Sequence, residues 1–247
     1  MIFMYRFTIE IAHKTLGIES SYVYTKNLCG PFITADGDDN LTKIFRVTDE
    51  ELESACAQVP DCTPDYLESV CLHKQIVEWL PIQGCFVFHG AAISFNKGGY
   101  IFSAPSGTGK STHIRLWRKF LGEAVDIVNG DKPVISVQEG EPLVCGTPWA
   151  GKEDWKRNIC VPVRALCFLD RSTENSVVKL SSRESLGRLF NQTYLSENEG
   201  TMKLTLEHVN RLLEKVPVYL LRCDMSEEAV RCSFEGLTGL SYDTYRK

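Results

Sequence analysis

Lys110, His89 and Asp131 are the residues of this chain whose types and spacing could do chemistry, and that chemistry is the handling of phosphate. Lys110 stands in Ser106-Gly107-Thr108-Gly109-Lys110-Ser111-Thr112, the second half of a phosphate-binding loop. In such a loop glycines let backbone N–H groups converge on phosphate oxygens, and the lysine adds a movable positive charge. Ser111 offers a hydroxyl to the magnesium that accompanies a nucleoside triphosphate. The helix expected to start here adds unpaired N–H groups and a partial positive charge. The full pattern has a glycine where this chain has Ala104. Alanine resists positive φ, so a somewhat different loop start is expected. A glycine-rich turn that merely joins two elements is the bland alternative, and it leaves Gly107, Gly109 and a desolvatable lysine at a helix start unexplained.

The elements around the loop must bring the other two residues to it. Tyr100-Ile101-Phe102 leads into the loop, and Ile114, Trp117 and Leu121 follow at helical spacing, so the order is strand, loop, helix. Upstream, the run from Cys85 to Phe95 and the polar Asn96-Lys97-Gly98-Gly99 predict a hairpin. A turn over Asn96 to Gly99 sets Phe95 opposite Tyr100 and His89 level with Ser106, and a slip of two still leaves His89 beside the loop. A core histidine at a strand end is the competing account of His89. Downstream, Ala124 to Val128 predicts a strand that runs into Asn129-Gly130-Asp131-Lys132-Pro133, then a second strand from Val134 to Val137. An acid at the end of an apolar strand after a phosphate loop commonly holds magnesium or orients the attacking group. Asp131 is that candidate, with an ordinary turn aspartate an equally natural account; Asp126, inside the strand, is less suited. Cys145 to Trp155 reads as a turn-rich loop. Its Lys152, with Lys156 and Arg157 beyond, could close over phosphates or simply be surface charge.

The remaining chain reads as follows. Residues 1 to about 48 are β-rich, with Tyr5, Phe7, Ile9 and Ile11 alternating, and strand-like runs at Tyr22 to Tyr24, Phe32-Ile33 and Ile44 to Val47. Asp36 to Asn40 fails the spacing of a calcium loop and reads as a solvated turn. Helices are predicted over Thr48 to Gln58 and over Thr63 to Leu80, the latter capped by Thr63 with Pro64 in its first turn. A soft boundary follows, giving an accessory α+β part over 1–80 and a nucleotide-binding part over 81–247. Later elements are a buried strand from Val161 to Leu169, helices over Ser182 to Leu195 and Met202 to Lys215, a strand from Val216 to Cys223, and a last helix from Ser226.

Composition narrows the function classes. With 247 residues, 43% hydrophobic and 24% charged, the chain can bury a substantial core without staples. A net charge of -5 argues against nucleic acid as partner, since such binders carry clustered basic surface. No apolar run approaches the ~20 residues of a membrane helix, and no signal peptide is read at the start. The ten cysteines fall singly, with no C-x-x-C and no Cys/His pairing at zinc spacing; several, such as Cys167 and Cys223, read as small core residues, and the setting is taken as reducing and cytoplasmic.

His89-Gly90, the hairpin, Ser106 to Thr112 and a strand ending in Asp131 together resemble the HPr kinase/phosphorylase and phosphoenolpyruvate carboxykinase group over about residues 85 to 137. Within it the chain looks most like the short HPr-kinase-like proteins, some of them encoded with peptide-modification clusters and acting on serine; Gly146-Thr-Pro-Trp-x-Gly-Lys152 is similar to a motif there. The resemblance implies an α/β fold with a mixed P-loop sheet and a small N-terminal α+β subdomain. It implies a kinase using ATP and Mg2+, in which Ser106 to Thr112 bind the nucleotide and Lys110 holds the β- and γ-phosphates. Ser111 and Asp131 would hold the metal, and Asp131 with His89 would handle an acceptor hydroxyl on a peptide, protein or small molecule. HPr kinase has two adjacent aspartates where this chain has Gly130-Asp131, so Asp131 is left to serve as metal ligand or base. A carboxykinase-like enzyme and a non-catalytic nucleotide-binding regulator are the alternatives. The absence of N-K-x-D favours adenine over guanine, and a homo-oligomer stays open.

Overall fold

The computed structural model describes residues 4–34, 41–138 and 140–247; the turn expected over Asp36 to Asn40 lies outside them. The chain begins with β1 (Tyr5–Ile11) and β2 (Lys14–Ser20), paired antiparallel, then α1 (Val23–Leu28) and β3 (Lys43–Arg46), which pairs with β2 in parallel. Helices α2 (Asp49–Gln58) and α3 (Pro64–Trp79) follow. A capping box between Thr48 and Glu51 starts α2. Thr63 stands at the N-cap of α3, but its side chain makes no capping bond to the helix backbone.

Two strand-like runs in this part are not strands. Tyr22 to Tyr24 enters α1, and Phe32 closes a short 3-10 turn over Gly30–Phe32, leaving Ile33 a single bridge to Ile9. For the first run the cause is tertiary. Glu68 of α3, 2% exposed, accepts from the Ser20 hydroxyl (2.5 Å), the Ser21 N–H (2.6 Å) and the Thr25 hydroxyl (3.0 Å). A buried carboxylate that gathers these donors favours a helix start there. Nothing within the segment announces it.

The larger sheet is built from β4 (Cys85–Val87), β5 (Ala91–Phe95), β6 (Gly98–Ser103), β7 (Val125–Asn129), β8 (Val134–Ser136), β9 (Leu143–Cys145), β10 (Cys160–Arg171), β11 (Ser176–Lys179) and β12 (Val218–Cys223). Helix α4 (Lys110–Leu121) follows β6; α5 (Ser182–Phe190) and α6 (Glu199–Lys215) precede β12, and α7 (Glu227–Thr238) follows it. The run predicted from Cys85 to Phe95 is thus two strands: β4 pairs with β8, while β5 lies between β6 and β7. The architecture is mixed α/β with a mixed sheet. Strands β10 and β6 are parallel, β10 and β12 are parallel, and β5 is antiparallel to both of its neighbours, so β6, β7, β10 and β12 end at one edge.

The hairpin register differs from expectation by two. Phe95 pairs with Gly98 and Ala91 with Phe102, so the turn is Asn96-Lys97 alone. Both residues take positive φ, 48° and 62°, the requirement of a two-residue turn that matches strand twist. Lysine is unusual there, which is why Gly98-Gly99 looked like the turn. Those glycines instead belong to β6, where a Cβ at Gly99 would come within 2.5 Å of Val144 Cγ1.

Side chains alternate through the sheet into two cores, as strand geometry demands. Ile93, Phe95, Tyr100 and Phe102 face Ile114, Trp117 and Leu121 of α4 and Phe234 of α7. Ala92, Ile101 and Leu166 face the other way, towards Leu189 of α5 and Val209 and Leu212 of α6. A third cluster joins β1, β2 and α3 to Cys85, Val87, Val134 and Cys145, so apolar packing runs without a break across residues 80 and 81. One reading of the cysteines is corrected: Cys145 and Cys160 face each other across β9 and β10, Cα atoms 4.1 Å apart, and form a disulfide. The other eight cysteines are free. No helix of the described residues is long and apolar enough to cross a membrane.

Candidate functional site

The segment Ala104 to Gly109 leaves the end of β6 and opens into α4, at the edge where β7, β10 and β12 also end. Such an edge of parallel strands is where open α/β sheets bind ligands. Gly107 and Gly109 take φ of 78° and 125°, conformations closed to most L-residues. Ala104 is not at positive φ and is buried, so alanine costs the loop nothing at that position. Lys110 is 8% exposed and donates from Nζ to the carbonyl of Ala104, 2.8 Å away. Desolvation lowers its pKa, with Asp131 opposing.

Ser106, Gly107, Gly109, Lys110, Ser111 and Thr112 line one cavity of about 450 Å3 together with His89, Gly130 and Asp131. Of the run Ser106 to Thr112, Thr108 alone falls outside it; Thr108 lines a second cavity, described below. The 450 Å3 cavity is closed on its remaining side by Gly151, Lys152 and Glu153. Lys156 and Arg157 do not reach it as phosphate clamps: Lys156 pairs with Asp154, and Arg157 with Asp126 at 2.7 Å.

His89 and Asp131 meet by main chain and side chain. The Gly90 N–H donates to the Asp131 carbonyl at 2.9 Å, and His89 Nε2 lies 3.4 Å from Asp131 Oδ1. Lys132 Nζ lies 3.5 Å from Oδ2. The hydrogen bond from His89, aided by the charges of Lys132 and Lys110, holds the Asp131 carboxyl below its ordinary pKa against the opposing pull of burial. The carboxylate is therefore ionised throughout the neutral range.

Four supporting residues were not found from the sequence. Gln192, in the connection between α5 and α6, bonds His89 twice: its carbonyl accepts from the His89 N–H (2.8 Å), and its Oε1 lies 2.7 Å from Nδ1. A partner 103 residues away has no local signal. Asn129, fully buried, accepts at Oδ1 from the N–H groups of Asp131 (2.9 Å) and Lys132 (2.7 Å), shaping the turn that presents the acid. Its position two residues before Asp131 was the available signal. Asn129 Nδ2 donates in turn to Thr147, whose hydroxyl donates to the Lys132 carbonyl at 2.8 Å. The Cys145-to-Trp155 loop thereby braces the acid, and Trp149 Nε1 ties it to the Ser69 carbonyl of α3. Arg171, the fourth, reaches the Gly107 and Thr108 carbonyls from β10.

A second cavity, about 410 Å3, is lined by Gly107, Gly109 and Thr112 together with the apolar Leu116, Leu169 and Met225 and the polar Asp170, Arg171 and Asp224. The two cavities share Gly107, Gly109 and Thr112. One is polar and holds the acid; the other offers apolar surface.

The family model described as "SynChlorMet cassette protein ScmC" matches residues 64–229. No curated protein sequence matches the chain. Among solved structures, the chain is similar to the HPr(Ser) kinase/phosphatase of Coxiella burnetii, with 12% identity over 64% of this chain and 94% of that one and a TM-score of 0.35.

Proposed function

This chain belongs to the SynChlorMet cassette protein ScmC family, and we propose that it acts as an ATP-dependent, magnesium-assisted phosphotransferase that moves a terminal phosphate to a hydroxyl group. The observation that carries this reading is the convergence of Lys110, Ser111, His89 and Asp131 on one cavity at the N-terminus of α4. Phosphoryl transfer is mostly positioning and charge stabilisation, and these groups are suited to both.

The second cavity supports a nucleoside triphosphate as donor. Phosphates laid along Gly107 to Lys110 would point the terminal one towards Asp131 and the nucleoside towards Leu116 and Met225. Ser111 and Asp131 offer the hard oxygen donors that suit magnesium. No group of three or more His, Cys, Asp or Glu that could hold a metal occurs among the described residues, which fits an ion that keeps waters and phosphate oxygens around it. When bound, that ion supplies neutralisation of the charge developing on the phosphates.

The chain's own groups do the rest. Lys110 exchanges the Ala104 carbonyl for phosphate oxygen. Asp131, ionised and held by His89 and the Asn129 turn, accepts a hydrogen bond from the acceptor hydroxyl and then its proton. Its depressed pKa makes it a weak base, which suffices where the transition state is loose and the proton leaves late. The acceptor, a serine of a peptide or protein or a small-molecule hydroxyl, would enter past Lys152 and Glu153.

One observation favours a second reading, nucleotide binding without transfer. Gly130 packs against the Ala150 carbonyl, 2.8 Å from where a Cβ would stand, so no second acid fits beside Asp131. Binding and turnover of Mg-ATP by the wild type, Lys110→Ala and Asp131→Asn separate the two. A transferase loses binding in the lysine variant, and in the aspartate variant keeps binding but loses turnover. Binding without any turnover in the wild type would favour the regulator, and phosphoenolpyruvate formed from oxaloacetate would replace both with a carboxykinase.

A further inference from the structure

We propose that Arg171 is the positioning residue of the phosphate loop, holding its crest in one conformation before any ligand arrives. The inference rests on the phosphate-site reading above. Arg171 ends β10, the parallel neighbour of β6, and its side chain crosses to the loop: Nη2 donates to the Gly107 carbonyl at 2.5 Å and Nε to the Thr108 carbonyl at 3.2 Å. A trans peptide plane is rigid, so a carbonyl drawn one way sends the following N–H the other. The Thr108 N–H is thereby turned back to the Pro105 carbonyl, 3.2 Å away, closing the turn. The Gly109 N–H is turned away from Arg171. Arg171 lines the apolar-walled cavity but not the one holding Lys110 and Asp131, so it acts on the loop from outside the acid-bearing cleft.

The loop needs such a clamp. A Cβ at Gly107 or at Gly109 would meet nothing within 4 Å, so packing does not fix either residue, and both stand at positive φ. Two unpacked glycines give a segment several accessible conformations. Lys110 secures the start of the loop through Ala104, and Arg171 secures its crest. One planar guanidinium can hold two carbonyls at once, whereas an ammonium is a single point charge. Because both contacts go to main-chain carbonyls, the role is to orient the loop and not to touch the anion.

The test uses the full chain as wild type, Arg171→Ala, Arg171→Lys and, as a charge-matched control at the far end of α4, Arg118→Ala. Hydrogen exchange is followed over residues 105–110 without ligand, and affinities are measured for Mg-ATP and for inorganic tripolyphosphate. Loss of the clamp should speed exchange in that segment and weaken both anions by the same factor, roughly tenfold for one charge-assisted hydrogen bond pair. Arg171→Lys should recover little, and Arg118→Ala should match the wild type. Unchanged exchange in Arg171→Ala overturns the proposal, as does faster exchange with unchanged affinities. A loss confined to ATP would also overturn it, making Arg171 a nucleoside contact. If the wild type binds neither anion, the phosphate-site reading fails, and the exchange result still decides whether Arg171 orders the loop.

Discussion

His113 and His89 flank the glycine-containing loop between β6 and α4, one on the packed face of α4 and one on the open cleft. His113 is 3% exposed. It lies against Phe102, and its Nε2 is 3.0 Å from the Ser233 hydroxyl and 3.2 Å from Trp117 Nε1. Burial lowers its pKa to about 4. His89 keeps about a third of its side chain in contact with solvent, faces Asp131 and is held from behind by Gln192. The same residue type is buried and held neutral in one place and partly exposed beside an acid in the other. What separates them is which face of the sheet or helix they occupy, not how near they are to the motif.

The packed face should show the largest stability effects. Trp117 is fully buried and touches Tyr100, Phe102 and Phe234. Trp117→Ala is expected to cost about 3–5 kcal/mol in chemical denaturation, and a loss below about 1 kcal/mol would break the contrast. Acid titration of the same face comes next. The folded-state pKa of His113, about 4, lies below its ordinary 6.5, so the unfolded chain takes up the proton first. Stability from this group is complete above pH 6.5 and is lost as pH falls towards 4, by on the order of 3 kcal/mol. His113→Asn should flatten that slope; an unchanged slope would mean the ring is not held neutral by burial.

The cleft should show the reverse pattern. His89→Gln is expected to lower phosphoryl turnover roughly a hundredfold, the scale of one general acid–base or orienting group, with little change in melting. A melting loss as large as that of Trp117→Ala, with turnover intact, would make His89 a core residue. The smallest effect belongs to the brace. Thr147→Val removes the hydroxyl that bonds the Lys132 carbonyl and accepts from Asn129, at about 1 kcal/mol of stability. It should also perturb the Asp131 carboxyl resonance in NMR, which a purely remote loop would not do.

The loop from Ala104 to Gly109, α4 and the strand leading to Asp131 were legible because each is written in a few consecutive residues. The approach of His89 was legible through hairpin geometry even though the register differed by two, since a two-residue slip leaves a side chain on the same face. What stayed hidden depends on distant partners. Gln192 reaches His89 from beyond α5, Thr147 and Asn129 brace the acid across two loops, and Arg171 arrives from a strand that only sheet topology sets beside β6. Glu68 turns a strand-like run into α1 from α3. Cys145 and Cys160 pair because β9 and β10 are antiparallel neighbours, which no spacing rule discloses.

The most direct measurement follows the label from γ-labelled ATP, with magnesium, into a hydroxyl acceptor drawn from a neighbour-encoded peptide or a lysate. Label transfer that disappears in Lys110→Ala and in Asp131→Asn, and survives in Arg118→Ala, is the expected result. Bound ATP that is neither transferred nor hydrolysed by the wild type, or transfer that persists without Lys110 and Asp131, would contradict the assignment of this cleft to phosphoryl transfer.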